Sequence, residues 1–321
     1  MKLEQIRWGI LGCGDVTEVK SGPAVMNRGD TSRVVACMRR DAAKAKNYAE
    51  RHGVDRWYDD ADKLLADDEV NAVYIATPPN GHRDLALKAA AAGKACYVEK
   101  PFGRNAAEAK EMVDAFAAAD LPLLVAYYRR RLPRFVEAKR LIDAGELGSV
   151  TSVDYEMTRL FQPDRDHGWR ADPTIAGGGL FHDLGSHLLD LLDFLLGPLG
   201  KVAGTSQGDP GDERVAMSFT HDRDIAGCAR WNFAASRHAD RITIDGTTGS
   251  LSMSCFGNEP IRLARGDETT EIDRPHDKQV QRYLMDDVLA HLRGERACVS
   301  TGDSALRTNV VLDTVAGGAT A

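Results

Sequence analysis

The sequence of 321 residues has no apolar run approaching the ~18 consecutive residues that cross a membrane as a helix. Its first residues, Met1 to Arg7, lead into a strand-like run and lack the apolar stretch and cleavage site of a secretory signal. The six cysteines form no Cys-x-x-Cys pair, so neither a disulfide framework nor a structural zinc site is expected. Together these absences predict a cytoplasmic protein with no membrane partner.

The sequence also lacks an excess of basic residues. Its net charge is −7, so we expect no broad basic surface for nucleic acid. One basic cluster, Arg129, Arg130, Arg131 and Arg134, could favour an anionic substrate or the phosphates of a cofactor, or could lie on a solvated helix face. Hydrophobic residues make up 43% of the chain, which indicates a globular protein. At roughly 150 residues per domain, the length suits two domains.

The first 122 residues alternate short apolar runs with alanine-rich helical patterns. Buried strands are predicted over 6–11, 33–38, 72–76 and 95–98. Helices are predicted over 41–52, 83–92 and 106–119. Strands that are apolar along their whole length and alternate with helices indicate a parallel sheet covered on both faces. We therefore predict a doubly wound α/β domain of the Rossmann type over residues 1–122.

The pattern changes after Leu121-Pro122. One more strand, a helix and a long strand are predicted over 123–127, 135–144 and 150–160. Several strand-like segments punctuated by turn signals follow between Lys201 and Glu271, and two helical patterns close the chain. We therefore predict that residues 123–321 form an α+β domain built on a mostly antiparallel sheet.

The first strand ends in a glycine-rich loop, Gly12-Cys13-Gly14-Asp15-Val16-Thr17, with the pattern G-x-G-x-x-T. The first glycine permits a tight turn, and the second lets a pyrophosphate approach the backbone at a helix N-terminus. Thr17 replaces the usual Gly or Ala and makes the helix–strand packing bulkier. An ordinary strand–helix turn is the alternative, but the position after a strand in a βαβ pattern favours dinucleotide binding.

The end of the second strand predicts which dinucleotide binds. An NAD-preferring site carries an acid there for the ribose hydroxyls, whereas this sequence has Arg39 and Arg40. Guanidinium groups pair well with phosphate, so we predict that they hold the 2′-phosphate of NADP(H), with NAD(H) as the alternative. Asp41 could be the ribose acid, but we expect it to cap the helix that follows.

Three further motifs carry a family resemblance. The fourth strand leads into Thr77-Pro78-Pro79-Asn80-Gly81-His82, the fifth ends in Glu99-Lys100-Pro101, and three glycines at 177–179 precede Asp183, Gly185 and His187. With the glycine loop, these motifs resemble the Gfo/Idh/MocA oxidoreductase family, from the first strand to at least Gly197. The resemblance implies NAD(P)-dependent oxidation or reduction of sugars, polyols and related compounds. It also implies that residues 123–321 bind the substrate and carry a large open sheet, through which a homodimer or homotetramer often forms.

The resemblance implies that Lys100, Asp183 and His187 are catalytic and contact the substrate. Together with the glycine loop and the end of the second strand, it places the following residues on the side of the cofactor: Gly12, Cys13, Gly14, Asp15, Val16, Arg39, Arg40, Thr77, Pro78, Asn80, His82, Glu99, Lys100, Arg129, Trp169 and Arg170. Many relatives have Asn immediately before the position of Arg129, where this sequence has Tyr128. Other residues suit a sugar site that needs aromatic and hydrogen-bonding groups, although ordinary loop polarity is the alternative: Tyr155 above all, with Arg159, His167, Trp169, Asp172 and His182.

The chemistry of these residue types fits hydride transfer from an alcohol, which needs a proton acceptor and a group that stabilises the developing alkoxide. Lys100 ends a strand and can hydrogen-bond the reacting oxygen, and histidine titrates near neutrality, so His187 suits the proton acceptor. Asp183, four residues earlier, could orient His187 or hold a second hydroxyl. Taken singly, a solvated lysine, a core histidine and a helix cap are the plainer interpretations.

Other functions remain open at this point. No metal is predicted, because His182 and His187 are five residues apart and diverge on a helix. The alternatives to an NADP(H)-dependent sugar or polyol oxidoreductase are an NAD-dependent sugar dehydrogenase, a glycoside-cleaving enzyme that uses bound nicotinamide, an enzyme acting on an unsaturated or imine bond, and a dinucleotide-binding sensor without turnover. Fold alone does not choose among them.

Overall fold

A computed structural model describes residues 2–160, 168–221 and 224–317. The chain divides into two compact units: the first comprises Met1–Tyr128 and Asp277–Leu306, and the second comprises Arg129–His276 and Arg307–Ala321. These units run differently from the boundary expected after residue 122, because the strand at 123–125 and the segment from Asp277 pack within the first unit. Among the described residues, no helix is both long enough and apolar enough to cross a membrane.

The first unit is built on a six-stranded parallel sheet. Its strands are β1 (Ile6–Leu11), β2 (Ser32–Met38), β3 (Arg56–Tyr58), β4 (Ala72–Ile75), β5 (Ala95–Val98) and β6 (Leu123–Val125). Their order across the sheet is β3-β2-β1-β4-β5-β6, and every pair is parallel. This confirms the predicted Rossmann-type sheet. The strand order reverses between β1 and β4, where doubly wound sheets bind ligands at the carboxyl ends of their strands.

The helices of this part follow the strands. They are α1 (Asp15–Val19), α2 (Pro23–Met26), α3 (Ala42–His52), α4 (Ala61–Leu65), α5 (His82–Ala91) and α6 (Ala106–Ala118). Asp41 caps α3 as predicted, because its carboxylate accepts a 3.0 Å hydrogen bond from the backbone N–H of Lys44. Gly53 ends the same helix in the left-handed conformation that glycine adopts without strain, with a φ of 63°.

The second unit contains an eight-stranded sheet. Its strands are β7 (Val150–Thr158), β8 (Leu199–Gln207), β9 (Arg214–His221), β10 (Ile225–Asn232), β11 (Ala239–Gly246), β12 (Ser250–Met253), β13 (Ile261–Arg265) and β14 (Glu268–Ile272). The order is β14-β13-β12-β11-β7-β10-β9-β8, and only the β7–β10 pair is parallel. Buried and exposed residues alternate along β9 and β10, as expected for strands with one face on a core. The predicted large, mostly antiparallel sheet is confirmed.

The helices that accompany this sheet carry the second set of candidate residues. They are α7 (Pro133–Asp143), α8 (Pro173–Ala176) and α9 (Ser186–Leu196). Near the end of the chain, α10 (Arg282–Leu292) belongs to the first unit, and α11 (Gly302–Ala316) begins in the first unit and continues in the second. A single π-helical turn, Phe181–Gly185, leads directly into α9. Five of the six leucines of α9 are buried, so this helix packs its apolar side chains into the core. Asp183 lies in the π turn and His187 in the first turn of α9.

Candidate active site

The glycine loop has the backbone that its sequence predicts. Gly12 has a φ of 99°, and a Cβ there would lie 2.8 Å from the side chain of Thr77 and 2.9 Å from its backbone nitrogen. Only glycine therefore lets the end of β1 approach the end of β4 this closely. A Cβ on Gly14 would meet no atom within 4 Å, so the space in front of the second glycine is open. This open backbone fits the approach of a dinucleotide pyrophosphate.

The tip of β2 contacts this loop through a side chain. The guanidinium of Arg39 donates a 2.9 Å hydrogen bond to the carbonyl of Cys13, while Arg40 is exposed. Asp41 is engaged in capping α3. The charged side chains that remain available at the end of β2, beside the glycine loop, are therefore the guanidinium groups of Arg39 and Arg40. Their positive charge fits a phosphate-bearing ligand. Asp15 and Val16 begin α1, where Asp15 is exposed.

The motif after β4 is held by a buried histidine. Pro79–Gly81 form a 3₁₀ turn after Thr77 and Pro78, Asn80 is exposed, and α5 begins at His82. The Nε2 atom of His82 lies 2.8 Å from the carbonyl oxygen of Thr77, and its Nδ1 atom lies 3.1 Å from that of Pro101. Complete burial lowers the pKa of His82. His82 thus connects the segments that follow β4 and β5, which is a positioning contact within the first unit.

Glu99 and Lys100 follow β5, and a cis peptide joins Lys100 to Pro101. The carboxylate of Glu99 accepts hydrogen bonds from the Tyr74 hydroxyl at 2.6 Å and from the Gln281 amide at 2.5 Å. Its second oxygen accepts a 3.2 Å hydrogen bond from the backbone N–H of Lys100. Sequence reasoning missed Gln281, because a contact across 182 residues leaves no local pattern.

In the second unit, Asp183 has a cationic neighbour. The Nε atom of Arg170 lies 3.3 Å from Oδ2 of Asp183, and the guanidinium lies 4.4 Å from the centre of the Trp169 ring. The structure therefore brings together three of the predicted residues, Trp169, Arg170 and Asp183. Single π turns occur frequently at functional sites because they redirect side chains within a helix.

Two of the three glycines before this turn, Gly178 and Gly179, are each covered by a side chain. A Cβ on Gly178 would lie 2.1 Å from Nδ1 of His182, and one on Gly179 would lie 1.8 Å from Oε1 of Glu213. The buried carboxylate of Glu213 accepts from the N–H of Gly211 at 2.8 Å and of Phe181 at 3.5 Å. Desolvation by burial raises the pKa of Glu213. Glu213 therefore holds the start of the segment that carries Asp183, and sequence reasoning did not identify it.

His187 and Arg129 meet the same aromatic side chain. The His187 ring is 4% exposed and lies edge-on to Phe256, with 5.8 Å between ring centres. The guanidinium of Arg129 lies 4.2 Å from the centre of the Phe256 ring, and its Nε donates a 3.1 Å hydrogen bond to the carbonyl of Cys255. The structure thus places Arg129, predicted on the side of the cofactor, and His187, the predicted proton acceptor, against one ring.

Tyr155 supports the segment that carries Phe256. It is 3% exposed, and its hydroxyl donates a 3.2 Å hydrogen bond to Asp240. The Asp240 carboxylate also accepts the backbone N–H of Cys255 at 3.0 Å and of Phe256 at 2.6 Å. The substrate contact expected of Tyr155 stays a prediction.

Of the other polar candidates, Asp172 caps α8, and His167 lies outside the described residues.

The basic cluster after β6 is not a solvated helix face. Arg130 makes buried ion pairs with Asp190 at 2.7 Å and Asp193 at 2.9 Å. Arg134 is also buried and donates to the carbonyl oxygens of Gly257 and Glu259. These guanidinium groups hold α9 and the segment after β12. In the described ranges, no three His, Cys, Asp or Glu side chains are grouped to hold a metal, and none of the six cysteines forms a disulfide.

Comparisons with known proteins find similarity to oxidoreductases in both parts of the chain. A family model described as "Oxidoreductase family, NAD-binding Rossmann fold" matches residues 6–127, and one described as "GFO/IDH/MocA C-terminal domain" matches residues 135–252. The chain is 32% identical over 319 residues to Oxidoreductase P35 of Formosa agariphila, which covers 98% of this chain and 99% of that protein. It is 33% identical over 274 residues to trans-1,2-dihydrobenzene-1,2-diol dehydrogenase of Bos taurus, covering 84% of this chain and 80% of that protein. A structure of levoglucosan dehydrogenase in complex with NADH and levoglucosan has a TM-score of 0.85 at 20% identity, covering 97% of this chain and 96% of that one.

Proposed function

Because this chain belongs to the Gfo/Idh/MocA family of NAD(P)-binding oxidoreductases, we propose that it transfers a hydride between NADP(H) and a sugar, polyol or related hydroxyl or carbonyl compound. The preference for NADP(H) rests on one observation, the Arg39 guanidinium held on the glycine loop while Asp41 caps α3. The substrate class rests on the relatives, whose names state dehydrogenases of a cyclic diol and of levoglucosan.

The proposal assigns the cofactor to the first unit. The glycine loop and the Thr77–His82 motif would hold the dinucleotide, and Arg39 with Arg40 would hold its 2′-phosphate. When bound, the nicotinamide supplies or accepts the hydride. Glu99, Lys100, Arg129, Trp169 and Arg170 stay proposed cofactor contacts.

The acid–base chemistry is assigned to three side chains. In the oxidative direction, the imidazole of His187 takes the hydroxyl proton, and the ammonium of Lys100 donates a hydrogen bond to the oxygen as negative charge develops there. Asp183, with Arg170 3.3 Å away, binds a second substrate hydroxyl or orients His187. In the reductive direction the same groups exchange roles, so His187 returns the proton.

A substrate panel tests the proposal. Purified protein is incubated with sugars, inositols and cyclic diols in the presence of NADP⁺ or NAD⁺, and reduced cofactor is followed by absorbance while products are identified by mass spectrometry. We expect net reduction of cofactor with at least one substrate and a higher kcat/KM with NADP⁺. Product formation without net cofactor conversion would favour a glycoside-cleaving enzyme. Dinucleotide binding without turnover on any substrate would favour a sensor.

The assembly and location remain proposals of the same kind. We propose a cytoplasmic homodimer or homotetramer that buries the open face of the eight-stranded sheet. That face carries polar side chains, such as the Cys228 thiol that donates a 2.8 Å hydrogen bond to Asp154. Light scattering of the purified protein gives the oligomeric state, and a monomer at all concentrations would contradict the proposed assembly.

A further inference from the structure

A glutamine from the end of the chain is built into the first unit beside the Glu99-Lys100 pair. Gln281 lies just before α10 and is 1% exposed. Its Nε2 atom lies 2.5 Å from Oε1 of Glu99, and its Oε1 atom lies 3.1 Å from the hydroxyl of Tyr97. The amide nitrogen of Gln281 donates to the Glu99 carboxylate, and the Tyr97 hydroxyl donates to the amide oxygen.

The Glu99 carboxylate has a second side-chain donor. The Tyr74 hydroxyl lies 2.6 Å from Oε1 of Glu99 and 2.9 Å from the hydroxyl of Ser21. Burial, and then the negative charge of Glu99, raise the pKa of Tyr74 well above its ordinary value, so this hydroxyl keeps the proton it donates. The Tyr74 and Tyr97 rings stack with 5.1 Å between their centres, which fixes both hydroxyls.

The other oxygen of Glu99 acts on the next residue. Oε2 of Glu99 accepts a 3.2 Å hydrogen bond from the backbone N–H of Lys100. The side chain of Glu99 therefore folds back on the chain and fixes the backbone from which the Lys100 side chain extends. A rotation of the carboxylate that frees this N–H moves the origin of the lysine side chain. A displacement of ~1 Å at a reacting group can cost about 10²-fold in rate.

We propose that Gln281 is a positioning residue for Lys100, because it holds the Glu99 carboxylate that in turn holds the Lys100 backbone. The inference rests on the proposed catalytic role of Lys100. Gln281 lies outside the family motifs of the first unit. It belongs to residues 277–306, which pack within that unit, so this late segment would contribute to the reaction through Gln281. A purely structural role is the alternative, in which Gln281 only fills and satisfies the core.

Substitution of the donors tests the inference in the full-length protein. Gln281→Met and Tyr74→Phe each remove one donor to Glu99, and we expect each to lower kcat by about 10- to 100-fold. The dissociation constants of the dinucleotides should change far less than kcat, because neither substitution touches the glycine loop that would hold the pyrophosphate. Urea unfolding and circular dichroism establish the folded fraction to which each kcat is referred.

Two variants of the same unit serve as matched controls. Gln5→Met removes an exposed amide that donates a 3.0 Å hydrogen bond to the carbonyl of Asp30. Tyr58→Phe removes a tyrosine hydroxyl that donates a 3.1 Å hydrogen bond to the carboxylate of Asp67. Both lose a bond of the same type as the test variants but have no contact with Glu99. We expect their kcat to equal that of the wild type.

Gln281→Glu provides a second test, the pH dependence of kcat, which a purely structural role of Gln281 would not change. A carboxyl group placed against Glu99 shares a proton with it at low pH, because two adjacent carboxylates resist ionising together. The shared proton restores a donor to Glu99, so kcat relative to the wild type should rise as pH falls. Gln281→Met carries no such proton and should show no recovery at any pH.

The outcomes separate the inference from the function on which it rests. Wild-type protein that turns over no substrate of the panel overturns the proposed function and this inference with it. Wild-type turnover with kcat unchanged per folded molecule in Gln281→Met and Tyr74→Phe overturns the inference alone. A loss of kcat in Gln281→Glu that is the same at every pH also overturns it.

Discussion

The guanidinium of Arg39 is hydrogen-bonded to the backbone carbonyl of Cys13 at 2.9 Å, which joins the tip of β2 to the middle of the glycine loop. The contact gives the side chain a fixed position in a place where many dinucleotide-binding proteins carry an acid. The carboxylate two residues further on, Asp41, accepts the N–H of Lys44 at the start of α3. A guanidinium suits phosphate oxygens, whereas ribose hydroxyls favour a carboxylate.

Arg39→Asp tests this arrangement. We expect it to weaken NADPH binding by at least about tenfold, or about 1.4 kcal/mol, because a carboxylate repels the 2′-phosphate. NADH binding should change far less, because a carboxylate can accept from the ribose hydroxyls. Fluorescence titration measures both constants. Arg33→Asp is the control, since Arg33 lies on the same strand and pairs with Asp55 at the surface. A wild-type preference for NADH would contradict the assignment and make Asp41 the ribose candidate.

Lys100→Met and His187→Asn test the acid–base assignment. Each should lower kcat by about 10²- to 10⁴-fold, because acid–base assistance in the transition state is worth about that much. The double variant should lose much less than the product of the two effects if both groups act on one step. Steady-state kinetics measures all four proteins. Lys110→Met, which removes a surface ion pair with Asp114, should be fully active. A fully active single variant would remove its residue from the mechanism.

Glu18 on α1 predicts how stability depends on pH. Its carboxylate accepts from Arg51 at 2.5 Å and lies 2.7 Å from Nε2 of His52, and the bond from Arg51 is the main reason that the pKa of Glu18 falls from 4.5 to about 2. A folded-state pKa below the unfolded value means that the ionised carboxylate stabilises the fold. That contribution is complete above about pH 4.5 and is lost as the pH falls towards 2.

We therefore expect Glu18→Gln to lower the free energy of unfolding by about 1 kcal/mol at neutral pH, allowing for solvent screening of a partly exposed pair. The difference from the wild type should shrink steadily as the pH is lowered below about 4.5. Urea unfolding at a series of pH values measures it. Glu50→Gln, which loses only a 3.8 Å surface contact with Lys46, should behave as the wild type. A difference independent of pH would argue against this account of the pair.

Gly179 and Glu213 should be coupled in stability. Gly179→Ala places a Cβ 1.8 Å from Oε1 of Glu213 and should cost about 1–3 kcal/mol of unfolding free energy. Glu213→Ala leaves the N–H groups of Gly211 and Phe181 without this acceptor, at a similar cost. The double variant removes the clash, so its cost should be well below the sum. Gly200→Ala, whose Cβ would meet nothing closer than 3.9 Å, is the control. Simple additivity would contradict the predicted coupling.

Local patterns predicted the elements that depend on neighbours in sequence. The apolar runs predicted β1, β2, β4 and β5, the glycine loop was placed at the end of β1, and Asp41 was expected to cap α3. In each case the physical cause lies within a few residues: strand burial, a positive φ at Gly12, or a side chain that reaches an N–H three positions on.

The contacts that cross long stretches of chain were not predicted. Glu213 lies against Gly179, Phe256 lies against His187, and Gln281 lies against Glu99, and no periodicity or motif marks the second member of these pairs. The sequence marks Gly177-Gly178-Gly179 as unusual, but it does not show that His182 and Glu213 occupy the space that a Cβ on Gly178 or Gly179 would fill. The buried pairing of Arg130 with Asp190 was likewise hidden, because charged residues are mostly exposed.

The return of residues 277–306 to the first unit has a consequence for synthesis on the ribosome. Domains generally fold as units while the chain emerges, beginning with the N-terminal one. Here all six strands of the parallel sheet have been translated by Val125, yet the Glu99 carboxylate does not gain its amide partner until Gln281 has been added. The dinucleotide-binding unit is therefore started first but completed only near the end of translation, at Leu306. Throughout translation of the intervening residues, the nascent chain carries a parallel sheet whose buried carboxylate still lacks one of its donors.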